Sequence, residues 1–190
     1  PIRRNYRTMV SGNLLTKQGT FNVTIDPEFY QPDITVVTTA EELHTAFANG
    51  GSVTLSALRG QNIILYFYPA AMTPGCTTEA CDFRDNLARL SSRGFTVLGV
   101  SKDPLDKLIR FRERDHLTFP LLSDADLTVH RLYGAYGEKK LYGKVYEGVI
   151  RSTFVIDGDG AIRVARYNVR AKGHVDSLLR TLDKLDGSVF

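Results

Sequence analysis

The apolar positions of this chain follow one rhythm up to about residue 50 and another beyond it. From Ser52 onward, short apolar runs alternate with stretches in which apolar residues recur every three or four positions. Val53-Thr-Leu55 reads as a short strand. Ile63-Ile-Leu-Tyr-Phe-Tyr68 is an unbroken apolar and aromatic run, which predicts a central strand buried on both faces and ended by Pro69. A helix is predicted from Pro74 to Ser92, closed by Gly94. Cys76, Ala80, Phe83, Leu87 and Leu90 form its apolar stripe. Phe95 to Val100 is the next buried strand, Pro104 opens a second helix that runs to His116, and Phe119 to Leu122 is a short strand. Leu127 to Tyr133 reads as a short helix. Tyr133 to Tyr146 reads as a tyrosine-rich loop, either lining the mouth of a pocket or forming an exposed connection with anchoring aromatics. Thr153–Ile156 and Ala161–Ala165 form a hairpin across Asp157-Gly-Asp-Gly160. A last amphipathic helix carries Val175, Leu178, Leu179, Leu182 and Leu185.

The first part of the chain patterns differently. Phe21 to Ile25 alternates like a strand, and Asp26-Pro27 and Gln31-Pro32 then break the chain. Ile34 to Thr38 is a second strand candidate. Thr39-Ala-Glu-Glu42 has the spacing of a capping box and opens a short helix stopped by Asn49-Gly50-Gly51. The chain therefore divides into an N-terminal extension, residues 1–50, and an α/β domain, residues 51–190. In that domain helical crossovers supply parallel strands and the late hairpin supplies antiparallel edge strands. No internal repeat is present.

Composition narrows the function. With 190 residues and 43% apolar content, the chain can bury a core without disulfide staples, so its two cysteines need another reason. A net charge of +3 argues against a nucleic-acid binder, which would carry a strong basic stripe. The basic cluster from Arg3 to Arg7 lacks the apolar run that follows it in a signal peptide. The longest apolar stretch, Ile63 to Met72, is too short to span a bilayer. A soluble, cytoplasmic protein with no membrane partner is expected.

The candidate chemistry lies in Tyr68-Pro-Ala-Ala-Met-Thr73-Pro74-Gly75-Cys76. Thr73 is a good N-cap and Pro74 fits the first helical position, so Cys76 falls in the first turn. Backbone N–H groups there have no helical partner and the dipole is positive, which favours a thiolate and the oxygens of a bound ligand. The Thr73 hydroxyl can add a hydrogen bond, and Gly75 permits close approach of the backbone. Cys81 lies ~140° around the helix from Cys76, at ~100° per residue. The rise between them is ~7.5 Å, whereas a disulfide needs Cα atoms within ~7 Å and facing Cβ vectors. The two cysteines cannot bond while the helix is intact. If they bond, the first turns unwind. An inert, buried Cys76 is the bland alternative. A zinc site is disfavoured by the spacing. His44, His116, His130 and His174 are scattered and read as structural or surface residues, and Asp124 and Asp126 as turn and cap residues.

The string from Phe67 to Arg84 resembles the peroxiredoxin family, in its bacterioferritin comigratory protein (peroxiredoxin Q) branch. Pro69, Thr73 and Cys76 fall on the family's P-x-x-x-T-x-x-C motif. Gly99 to Asp103, Tyr133 to Tyr146 and Arg151 to Asp157 resemble later family segments. Lys172 to Asp176 resembles the start of the family's last helix. The resemblance implies a thioredoxin fold, a central mixed sheet flanked by helices. It implies Cys76 as peroxidatic cysteine, Cys81 as resolving cysteine and Arg151 as the active-site arginine, with Pro69 and Gly75 beside the substrate. It implies hydrogen peroxide and organic hydroperoxides as substrates, thioredoxin or a similar dithiol protein as reductant, and no cofactor or metal. A short Ala-Pro-Asp-Phe-type segment usually opens this branch; it is missing before Val53, and residues 1–50 stand in its place. A monomer is expected, with dimerisation through that extension left open. A peroxide-responsive redox sensor and a thiol–disulfide oxidoreductase remain as alternatives.

Overall fold

The computed structural model describes residues 23–24, 53, 55–141 and 144–185. In chain order these form β1 (Val23–Thr24), β2 (Asn62–Phe67), α1 (Pro74–Asp85), α2 (Leu87–Ser91), β3 (Phe95–Ser101), α3 (Leu105–Arg114) and β4 (Leu121–Ser123). They continue as α4 (Thr128–Leu132), β5 (Tyr136–Leu141), β6 (Lys144–Val149), β7 (Ser152–Ile156), β8 (Ala161–Tyr167) and α5 (His174–Leu185). The main sheet runs β1-β8-β7-β2-β3-β4, and β5 and β6 form a ribbon of their own. Strands β2, β3 and β4 are parallel, joined by helical crossovers, and β7 pairs antiparallel with β2.

The apolar run in β2 is buried on both faces because its alternate residues feed two cores. Ile64, Tyr66 and Tyr68 face one layer, with α1, α3 and α5. Ile63, Leu65 and Phe67 face the other, with Tyr133, Phe154 and Ile156. Burial of a large apolar side chain contributes roughly 1.5–3 kcal/mol, so a strand feeding both layers is fixed in register. Gly99 in β3 is required by packing. A Cβ there would lie 2.8 Å from the Tyr66 hydroxyl oxygen and 2.9 Å from Leu121 Cδ2.

The expected mixed α/β architecture is present, with local differences. The helix expected over Pro74–Ser92 is broken at Asn86, whose amide donates to the Asp82 carbonyl at 2.9 Å, and α2 restarts at Leu87. Asparagine competes for backbone groups in this way and is a weak helix former. Of the short strand expected at Val53–Leu55, only Val53 and Leu55 are described; Val53 belongs to no element, and Leu55–Leu58 make a 3-10 turn. Tyr133–Tyr146 is not a loop, since Tyr136–Leu141 and Lys144–Val149 pair as a hairpin. The hairpin of β7 and β8 does not form an edge. β7 is interior, and β1, within the strand expected at Phe21–Ile25, pairs with β8. The Ile34–Thr38 strand and the helix opening at Thr39 lie outside the described residues.

Candidate active site

The site forms at the C-terminal end of β2. Pro69 has no N–H to extend the ladder, so the strand stops and the chain turns through Ala70–Thr73 into α1. Met72 adopts a left-handed φ of 64°, a conformation that costs a non-glycine residue about 1 kcal/mol. Two bonds hold the turn in place. The Ala71 N–H donates to Asp103 Oδ2 at 2.6 Å, and the Thr73 hydroxyl donates to the Ala70 carbonyl at 2.9 Å. Asp103 also accepts from the Ser101 hydroxyl at 3.0 Å and from Lys107 Nζ at 2.6 Å. Burial alone would raise the Asp103 carboxyl, but these donors hold it below the usual range. Thr73 sits at the N-cap with Pro74 after it, as expected, yet its side chain bonds back into the loop and caps no N–H of α1.

Cys76 is 2% exposed, on the core face of α1. Arg151 Nη2 donates to its Sγ at 3.1 Å, while Nη1 donates to Glu79, one helical turn beyond Cys76. The topology explains the meeting. Phe67, the last residue of β2, pairs with Ser152, the first of β7, so Arg151 emerges at the end of the sheet where α1 begins. Glu79 is fully buried. Burial pushes its carboxyl up to about 7, against the lowering influence of Arg151. Lys139, on β5, donates from Nζ to the Val149 carbonyl at 2.7 Å. Burial pushes its ammonium down, as does the like charge of Arg151, while Cys76 acts in the opposite direction. The hairpin thus brings a second cation toward the site.

Cys81 is half-buried on another face of α1, and both cysteines are free thiols within the one helix. Burial pushes the Cys81 thiol up, with Arg84 opposing and Asp115, Asp85 and Asp82 adding to the rise. Cys76, Gly75 and Arg151 therefore converge, and Cys81 stands apart. A Cβ added at Gly75 would lie 3.6 Å from Arg151 Nη2 and 3.8 Å from Ala171 Cβ, an ordinary contact. Folding does not demand glycine there; its lack of a side chain leaves space beside the guanidinium. Pro69 is half-buried at the start of the loop.

Glu79, Lys139 and Asp103 were not singled out from the sequence. One signal was present for Glu79. It sits three residues after Cys76 on the apolar stripe, where a carboxylate must find a cation. Asp124 and Asp126 do cap α4: Asp124 accepts from the Val129 and His130 N–H groups at 3.2 and 2.8 Å, and Asp126 from the Thr128 N–H at 3.0 Å. His130 and His174 are buried, as structural residues would be, and His116 is exposed; His44 lies outside the described residues. His130 Nδ1 lies 2.6 Å from Asp124 Oδ2, and His174 Nε2 lies 2.8 Å from the Thr153 hydroxyl. Among the described residues, no three His, Cys, Asp or Glu side chains converge as a metal cluster would, and no helix is long and apolar enough to cross a membrane.

The model of the AhpC/TSA family matches residues 32–165. The Escherichia coli protein named peroxiredoxin Bcp is 45% identical over 134 residues, covering 70% of this chain and 86% of that protein. The chain belongs to the AhpC/TSA family, within its Bcp branch of peroxiredoxins. It is accordingly an enzyme of the peroxidase class. The Mycobacterium tuberculosis protein Rv2521, named as a peroxiredoxin, is 58% identical over 135 residues, 71% of this chain and 86% of its own. Among solved structures, the bacterioferritin comigratory protein of Xanthomonas campestris superposes with a TM-score of 0.67 at 33% identity, covering 80% of this chain and 98% of its own. Peroxidoxin BcpB of Mycobacterium tuberculosis gives 0.63 at 38% identity, covering 73% and 90%. The expected thioredoxin fold is the fold of these neighbours. A second model, described as a family of unknown function (DUF6562), matches residues 1–58 and overlaps the first over residues 32–58.

Proposed function

We propose that Cys76 is the peroxidatic cysteine of a peroxidase that resolves its oxidised form through Cys81 and is recycled by thioredoxin or a similar dithiol protein. The observation that carries this reading is the guanidinium of Arg151, with one nitrogen on Cys76 Sγ and the other on Glu79. A guanidinium held there stabilises a thiolate and can donate to a peroxide oxygen. The Cys76 thiolate attacks the distal oxygen of R–O–OH. The S–O bond forms as the O–O bond breaks, and the alkoxide takes a proton and leaves as ROH. The sulfur is left as a sulfenic acid. Hydrogen peroxide gives water at the same step. The Xanthomonas campestris neighbour is described for alkyl peroxide reduction, which supports organic hydroperoxides as substrates here.

Oxidation removes the negative charge that Arg151 held, so Cys76 can leave its pocket at lower cost. The first turns of α1 then unwind and the Cys81 thiolate attacks the sulfenic sulfur. The S–S bond forms and the hydroxyl leaves with a proton as water. Thiol–disulfide exchange with a dithiol returns both thiols. The reaction draws on side chains and backbone of residues 51–190, with residues 1–50 as an extension, in a cytoplasmic enzyme. The test is NADPH consumption with thioredoxin reductase, thioredoxin and hydrogen peroxide. Cys76→Ser abolishes turnover on this reading. Full activity in that variant sinks it.

A further inference from the structure

The unwinding step has to break whatever holds the outer face of α1, and among the described residues two arginine contacts hold it, both to the end of α3. Arg114 Nη2 donates to the Thr77 hydroxyl at 3.0 Å. Arg84 Nη1 donates to the Asp115 carbonyl at 2.5 Å. The Asp115 carboxylate accepts from Arg114 Nε and Nη2 at 2.9 and 2.6 Å and so keeps that guanidinium extended toward α1. Their places along the helix differ. Thr77 lies between the two cysteines, in the segment that must leave the helix for them to meet. Arg84 lies beyond Cys81, in the part that can stay helical.

We infer that Arg114 latches the cysteine-bearing half of α1, and that Arg84 anchors the other half, so that the pair sets how fast Cys81 resolves the sulfenic acid. The inference rests on the resolving role of Cys81 proposed above. Both are positioning residues, since neither touches Cys76. The latch controls a branch point. Resolution converts Cys76–SOH and Cys81–SH into a disulfide and water. A second hydroperoxide competes with it: the sulfenic sulfur attacks the peroxide, takes up one oxygen to become a sulfinic acid, and releases ROH, or water from hydrogen peroxide. A tight latch leaves more time for the second reaction. With the Arg84 anchor in place, the end of α1 does not move away with the part that opens, so Cys81 stays near its target.

The chain has no tryptophan, so quench-flow with thiol alkylation and intact-mass detection is used to follow full-length protein through one turnover with hydrogen peroxide. Arg114→Ala and Thr77→Val each remove the latch from one side. Loss of one partly exposed, charge-assisted hydrogen bond raises the resolution rate about twofold to fivefold. The peroxide concentration that converts half of Cys76 to sulfinic acid rises by the same factor. The rate of sulfenic acid formation is unchanged. Arg114→Lys keeps a donor and stays closer to wild type. Arg110→Ala, on α3 but paired among the described residues along its own helix with Asp106, matches wild type. Arg84→Ala does not accelerate resolution. A Cys76–Cys81 disulfide that forms at the wild-type rate in both Arg114→Ala and Thr77→Val overturns the latch. If no such disulfide forms even in the wild type, the resolving role of Cys81 falls, and the latch with it.

Discussion

Replacing Arg151 with methionine keeps an unbranched, half-apolar side chain in the pocket but removes both donors. The bond lost at Cys76 is 3.1 Å long and charge-assisted when the sulfur is a thiolate. Hydrogen bonds to charged groups contribute about 1.5–3 kcal/mol. Every 1.4 kcal/mol is a factor of ten, so the rate of Cys76 oxidation falls between about tenfold and about a hundredfold. Arg151→Lys falls between wild type and methionine, because one ammonium cannot span Cys76 and Glu79 as the guanidinium fork does. A second signature separates this from a folding defect. Without its cation, the buried Glu79 is pushed further up and stays protonated at neutral pH. The methionine variant therefore loses thermal stability mainly above neutral pH. The assay is single-turnover oxidation by hydrogen peroxide at neutral pH, with melting temperature followed from pH 6 to 9 in parallel. A folded methionine variant that reacts within twofold of wild type would refute the role given to Arg151.

Other expectations follow from the same geometry. Glu79 ionises near 7 in the fold and at an ordinary 4.5 when unfolded. Between those values the fold holds a proton that the unfolded chain has lost, so stability falls as pH rises through that window, by up to roughly 3 kcal/mol. Glu79→Gln flattens this part of the slope, and urea unfolding from pH 4.5 to 8 checks it; an unchanged slope contradicts the buried-carboxyl account. Asp103→Ala strands the Ala71 N–H and Lys107, costs about 1–3 kcal/mol, and slows peroxide reaction by loosening the turn before Cys76. Denaturant midpoint and oxidation rate together test that, and a fall in stability alone would deny Asp103 its hold on the loop. Gly75→Ala folds, with added helix stability of up to about 1 kcal/mol, but fills the space beside Arg151. Bulky hydroperoxides lose rate more than hydrogen peroxide does, and equal losses would show that the space is not used by substrate.

Where a feature depended on local rules, the sequence carried it. The two-sided strand Ile63–Tyr68 and the cysteine in a first helical turn after Thr73-Pro74 both rest on neighbouring residues, and both are present. Features that depend on distant partners were opaque. Arg151 reaches Cys76 across 75 positions, through the pairing of β7 with β2, and only the family resemblance pointed to it. Asp103 looks like an ordinary loop residue until the turn at Ala71 is folded against it. Thr73 illustrates a competition that residue type cannot decide: the same hydroxyl can cap a helix or brace a loop, and here it bonds Ala70. The hairpin of β5 and β6 was missed because glycines and charges interrupt its alternation. Its pairing is maintained by backbone bonds with Lys139 anchored on Val149.

The division of labour between Cys76 and Cys81 is tested most directly by intact mass after one equivalent of hydrogen peroxide. The wild type is expected to lose the mass of two hydrogens, as an intramolecular disulfide. Cys81→Ser is expected to gain a single oxygen that dimedone traps, and Cys76→Ser to remain unmodified. A Cys76→Ser protein that gains oxygen on Cys81 at the wild-type rate, or a wild type that instead becomes a disulfide-linked dimer, would contradict the assignment.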